Sequence, residues 1–235
     1  MNPALISAGV LSGAAAAMTW AVRAPSATLL APSVHRGVRT RPAVALTFDD
    51  GPSESTPLLL DLLNECGVRA TFFQCGANVR RLPEVARQVV EAGHLVGNHS
   101  ASHVLLSLRS PAFIFREMAD GQRMIAEATG CEPRYFRPPY GVRWFGMRGA
   151  QRRLGLTGVL WSTIGKDWKW PAEAVVRRLV AGAANGAIFC LHDGRALESR
   201  PDVASTIEAV RRVIPILRDR GFGFETVQEI LCPTS

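Results

Sequence analysis

Apolar positions along the chain follow two alternating rhythms. Short unbroken runs occur at residues 43–47, 68–75 (VRATFFQC), 94–97, 159–161, 187–191 and 222–224, each bounded by Gly, Pro, Asn or Asp. Such runs are the signature of strands buried on both faces. Between them, apolar residues recur at helical spacing. The pattern predicts helices over 54–66 closed by Gly67, over 83–92 with Pro83 in the first turn, and over 111–129 closed by Gly130. Further helices are expected after Pro171, over 202–220, and from Thr226. Strands alternating with helices, without a detectable repeat, predict an α/β domain built as a distorted (β/α) barrel with about seven parallel strands.

Polar residues gather where these runs end. Asp49 and Asp50 close the first, and Gly51-Pro52 then turns the chain. Two adjacent carboxylates at the end of a buried strand repel each other and are costly to desolvate, so a cation is the natural partner. The alternative is that one caps the next helix while the other faces water. His99 and His103 follow the third run, Arg137 lies in YFRPPYG, Asp167 in the loop KDW, and His192 ends AIFCLH. Strand C-terminal ends are where barrels of this class place their sites, so one mouth collects all of these residues. Four residues apart, His99 and His103 would share one side of a helical turn and converge on one ion with a carboxylate. Taken alone, such a pair also serves as a cap or a surface pair.

Charge and composition add limits. The chain has 235 residues, a net charge of +7, 47% hydrophobic and 20% charged residues, which suits one ordered domain rather than disorder. Its basic residues are scattered as pairs on amphipathic segments, so no nucleic-acid partner is expected. Residues 1–22 carry no charged side chain and are a possible membrane anchor or signal; Arg23, Arg36, Arg39 and Arg41 follow them. A helix packed on the domain is the alternative. Residues 23–41 are expected as a linker, and 42–231 as the catalytic domain. The five cysteines, without CxxC spacing, predict neither a disulfide framework nor a structural zinc site. His35 and His94 are read as structural or exposed.

In order and spacing, TFDDGP (47–52), HSASH (99–103), FRPPYG (136–141), KDW (166–168) and LHDG (191–194) resemble the five motifs of the polysaccharide deacetylases, carbohydrate esterase family 4. The likeness covers nearly everything beyond residue 42. The resemblance implies metal-dependent removal of acetyl groups from N-acetylated amino sugars in a polysaccharide or oligosaccharide, peptidoglycan or chitin-like. By the same resemblance, Asp50, His99 and His103 would bind a divalent metal, most often zinc. Asp49 would be the general base, with Arg137 and also Arg69 pairing with it, and the backbone N–H of Tyr140 would stabilise the oxyanion. His192 would be the general acid, held by Asp167.

The sequence departs from the family pattern twice, at Ile164, where an aspartate is common, and at Cys190, where leucine is common; Cys190 would line the acetyl pocket. Trp144, Phe145, Trp168 and Trp170 are candidates for stacking on sugar rings. A cyclic-amide or other C–N hydrolase on the same barrel, or a non-catalytic carbohydrate-binding protein, are the rival functions. A polymer substrate favours the cell envelope; the charges after residue 22 and the unpaired cysteines favour the cytoplasm.

Overall fold

The computed structural model describes residues 13 and 15–233. The possible anchor at 1–22 therefore lies largely outside the described residues. Residues 15–23 are helical, and among the described residues no helix is long and apolar enough to cross a membrane.

The strands are β1 (Ser33–Val34), β2 (Ala43–Asp49), β3 (Thr71–Gln74), β4 (Leu95–Asn98), β5 (Tyr135–Phe136), β6 (Thr157–Val159), β7 (Thr163–Ile164), β8 (Ala187–His192) and β9 (Gly223–Phe224). Their order in the sheet is β1-β6-β5-β4-β3-β2-β8-β7, with β9 beside the start of β2. Every ladder is parallel. The helices are α1 (Thr56–Glu65), α2 (Gly76–Arg81), α3 (Pro83–Glu91), α4 (Pro111–Thr129), α5 (Met147–Leu154), α6 (Ala172–Gly182), α7 (Ala204–Asp219) and α8 (Val227–Leu231). Only three residues join β6 to β7, which lie toward opposite ends of the sheet order, so the sheet must curl. An antiparallel bridge from Arg36 to Ala187 and a bond from Gly37 N to Gly186 O (2.8 Å) tie the chain after β1 to β8. The result is the distorted (β/α) barrel expected, in one domain.

Strand periodicity sorts the core. Val44, Leu46 and Phe48 of β2, with Phe72, Phe189 and Leu191, face the helices in the largest hydrophobic cluster. Ala43 and Ala45 face inward with Phe73, Val159 and Ile188. Alternation then carries Thr47 and Asp49 of β2, and Cys190 and His192 of β8, to the same inner face. The barrel floor is thus apolar and its upper end polar.

Two expectations change. Residues 23–41 are packed on the barrel: β1 pairs with β6, Ala27, Leu30 and Ala31 are buried, and the fully buried Arg143 donates to the carbonyl oxygens of Ala27 (2.6 Å) and Ala24 and to Ser33 Oγ (3.2 Å). Burial lowers the Arg143 pKa. Residues 99–103 form no helical turn. Asn98 Oδ1 accepts from Ser100 N (2.8 Å), Ser100 and His103 have positive φ (70° and 52°), and Glu117 of α4 holds Ser102 through its hydroxyl (2.9 Å). The histidines converge because this loop folds against α4.

Candidate active site

A cavity of about 540 Å³ opens at the C-terminal ends of the strands, and Asp49, Asp50, His99, His103, Tyr140 and His192 all line it. Asp50 follows β2 with φ 71°, which turns its carboxylate away from the direction of Asp49. Its Oδ1 lies 2.9 Å from His103 Nε2 and 3.3 Å from His99 Nε2, and its Oδ2 accepts from Ala196 N (2.8 Å). Burial alone would raise the Asp50 carboxyl, but contacts with His103 and His99 hold it well below the usual carboxylate range. It is an anion.

His99 Nδ1 lies 2.7 Å from the Arg137 carbonyl, which can only accept, so Nδ1 carries the proton. Its Nε2 is therefore the ring nitrogen turned to the Asp50 carboxylate. A buried carboxylate facing the Nε2 atoms of two histidines is a place for a positive charge. One carboxylate and two imidazoles, all buried and within ligand reach of one another, fit a catalytic divalent metal with open positions. Asn78 of α2 supports the set: its Nδ2 donates to Asp50 O (2.7 Å) and Ala196 O (2.7 Å).

Asp49 is held separately. Arg137 is wholly buried, and its Nη1 donates to Asp49 Oδ1 (2.6 Å) and Thr47 Oγ1 (2.6 Å). Its Nε and Nη2 donate to the carbonyls of Val159 (3.2 Å) and Leu160 (3.1 Å), and Phe73 stacks beneath it, 4.1 Å from guanidinium carbon to ring centre. On the neighbouring strand, His192 stands opposite Asp49 in register. Its Nδ1 lies 2.9 Å from Asp167 Oδ1, while Asp167 Oδ2 accepts from His192 N (2.8 Å) and Thr206 Oγ1 (2.6 Å). Burial would lower the His192 pKa, but the Asp167 carboxylate, with Asp50 and Asp49 beyond it, raises it to about 9. The imidazole is charged at neutral pH. Asp167 itself, despite burial, is held below its ordinary value by His192 and Thr206.

Tyr140 follows Pro138-Pro139 with φ 60°, its ring packed edge-on with His103 at 4.8 Å between ring centres. At Gly141 (φ 65°) a Cβ would stand 2.5 Å from Trp161, so glycine there lets Trp161 form a cavity wall.

Asp49, Asp50, His99, His103, Arg137, Tyr140, Asp167 and His192 therefore meet at one mouth. Arg69 does not. It precedes β3, at the opposite end of the barrel, where it is exposed and pairs with Glu229 (2.5 Å). Both departures, Ile164 and Cys190, line the cavity. Cys190 Sγ lies 3.4 Å from Asp49 Oδ2, and burial followed by the Asp49 charge pushes its pKa well above the usual thiol value. Of the aromatic candidates, Trp168 lines the cavity, edge-on to His192 at 4.8 Å. Trp144 and Phe145 pack on each other away from it, and Trp170 lies under Lys166 Nζ (5.0 Å). Asn78, Thr206, Thr47 and Trp161 were not expected. Asn78 sits in a six-residue helix too short to show periodicity, and no sequence pattern ties Thr206 to Asp167.

A curled parallel sheet with paired carboxylates and three histidines at its mouth is a hydrolase barrel with a candidate metal site. The family model described as polysaccharide deacetylase matches residues 36–159, and the chain belongs to that family. It is 36% identical to a peptidoglycan-N-acetylglucosamine deacetylase of Bacillus cereus, over 80% of this chain and 87% of the relative. It is also 36% identical to a chitooligosaccharide deacetylase of Bradyrhizobium, over 80% of this chain and 90% of the relative. Among solved structures, a carbohydrate esterase family 4 pseudoenzyme from Bacillus anthracis superposes with a TM-score of 0.78 at 28% identity, covering 86% of this chain and 69% of that one. The fold alone therefore does not imply turnover; the groups at the mouth decide it.

Proposed function

We propose that this chain is a metal-dependent deacetylase that hydrolyses the acetamide of N-acetylated amino sugars in a saccharide polymer of the cell envelope. The single observation that carries this reading is the separation of the two aspartates, Asp50 against two histidines and Asp49 on Arg137, opposite His192. Asp50, His99 and His103 would hold the metal, with zinc favoured by the imidazole-rich set. A bound divalent ion there supplies Lewis acidity, polarising the acetyl carbonyl and acidifying water.

Residues 42–231 contribute the remaining chemistry. Asp49 takes a proton from the attacking water as its oxygen bonds to the acetyl carbon. Arg137 fixes the carboxylate and balances its charge. The N–H of Tyr140 donates to the carbonyl oxygen as negative charge grows there; Pro139 has no N–H to offer. His192 gives its proton to the departing nitrogen as the C–N bond breaks, leaving acetate and a free amine.

Acetate release from an acetylated oligosaccharide and from peptidoglycan is expected, abolished by a chelator and restored by zinc. A metal-loaded protein that binds these saccharides yet releases no acetate would refute the reading. A second expected outcome concerns pH. With His192 at about 9, kcat/KM should keep its acid-dependent limb up to near pH 9 and fall above it. Asp167→Asn removes the main charge raising this pKa, so the limb should move down toward or below 6.5. An unmoved limb would show that another group is the acid.

A further inference from the structure

Cys190 has the chemistry to do more than fill the acetyl pocket. It belongs to a second cluster of potential ligands, Asp49, Cys190 and His192, whose donor atoms all lie within 4.8 Å of one another. We propose that these three residues form a second, inhibitory site for a thiophilic divalent cation such as zinc, distinct from the Asp50, His99 and His103 set.

The strand register builds this cluster. Cys190 and His192 are two apart on β8, so both point into the barrel, and Asp49 is paired with His192 across the β2–β8 ladder. Each donor is already oriented from behind. Arg137 takes Asp49 Oδ1, leaving Oδ2, which Cys190 Sγ approaches to 3.4 Å. Asp167 takes His192 Nδ1, leaving Nε2 as the remaining ring donor, the carboxylate–histidine arrangement usual behind metal ligands. One thiolate, one imidazole and one carboxylate select zinc or cadmium over magnesium or calcium. All three line the cavity, so an ion can enter and a fourth position stays open.

Binding there releases the Cys190 proton to solvent, and the His192 proton as its ring becomes a ligand. The ion also occupies the base and the acid of the proposed reaction. Excess zinc should therefore inhibit where limiting zinc activates. This inhibitory consequence rests on the deacetylase reading, whereas the metal count does not.

The test titrates the metal-free full chain with cadmium, following the thiolate-to-metal absorption band and the metal retained after desalting. Wild type should retain one more equivalent than Cys190→Leu, with a difference band from one thiolate; the other four cysteines are common to both and cancel. Asp50→Asn should lose the other equivalent and keep that band. In turnover assays, zinc inhibition should weaken by at least about tenfold in Cys190→Leu relative to wild type. Equal metal counts in wild type and Cys190→Leu, or loss of the band in Asp50→Asn, would overturn the second site. Failure of wild type to release acetate under any zinc concentration would instead defeat the deacetylase reading, with the metal counts still deciding this one.

Discussion

Asp49→Asn is expected to cut turnover by about 10²–10⁴-fold while leaving the metal of the Asp50, His99 and His103 set in place. The carboxamide is nearly isosteric and can still accept from Arg137, so the packing around the buried pair survives. What it cannot do is take a proton. Asp50→Asn should behave differently, because its Oδ1 faces His99 and His103 Nε2 at 3.3 and 2.9 Å. Placing a neutral amide there removes the only anion of that set, and metal affinity should fall by at least about tenfold. Metal content by elemental analysis in the Cys190→Leu background, which lacks the second thiolate site, beside kcat after loading with one equivalent of zinc, separates the two. Equal metal loss in both variants would refute the division of roles.

Arg137→Met is the second large effect. The guanidinium is wholly buried and serves Asp49, Thr47 and the carbonyls of Val159 and Leu160 at once. Methionine fills similar space but leaves a buried carboxylate without its cation, a loss of about 3–5 kcal/mol. For a chain of this size that corresponds to a fall in Tm of roughly 6–20 °C. Arg137→Lys should recover only part of it, since an ammonium restores the charge but not the fork that reaches both β2 and the end of β6. Urea denaturation of the metal-free proteins measures this directly; a loss below about 1 kcal/mol would mean the pair is solvated, as surface pairs are.

Much of this was legible in the sequence because the signals are local. β2 and β8 are continuous apolar runs ending in acids or histidine, and α4 lies between Ser110, which caps it, and Gly130 with φ 71°. The helices expected over 54–66, 83–92 and 202–220 fall within two residues of α1, α3 and α7. That these side chains meet at one mouth was legible from motif order. Their geometry was not, where distant partners set it. His99 and His103 converge through a loop pinned by Glu117, and Asn78 reaches Ala196, 118 residues away. Arg69 was misplaced because RATFF begins at the floor end of β3, and the site lies where that strand finishes. Residues 23–41 lack periodicity, yet Arg143 binds them through backbone carbonyls, which no side-chain pattern announces.

The inward face of β2 runs from Ala43 and Ala45, packed on Phe73, Val159 and Ile188, up to Thr47 and Asp49. With that plug below and Arg137 across it, the barrel is a blind well and not a tunnel. A polymer cannot be threaded through it. On the proposed reading the saccharide lies across the rim and lowers one acetamide at a time, so internal residues of a long chain are as reachable as its ends, and each further deacetylation requires a fresh docking along the strand of sugar.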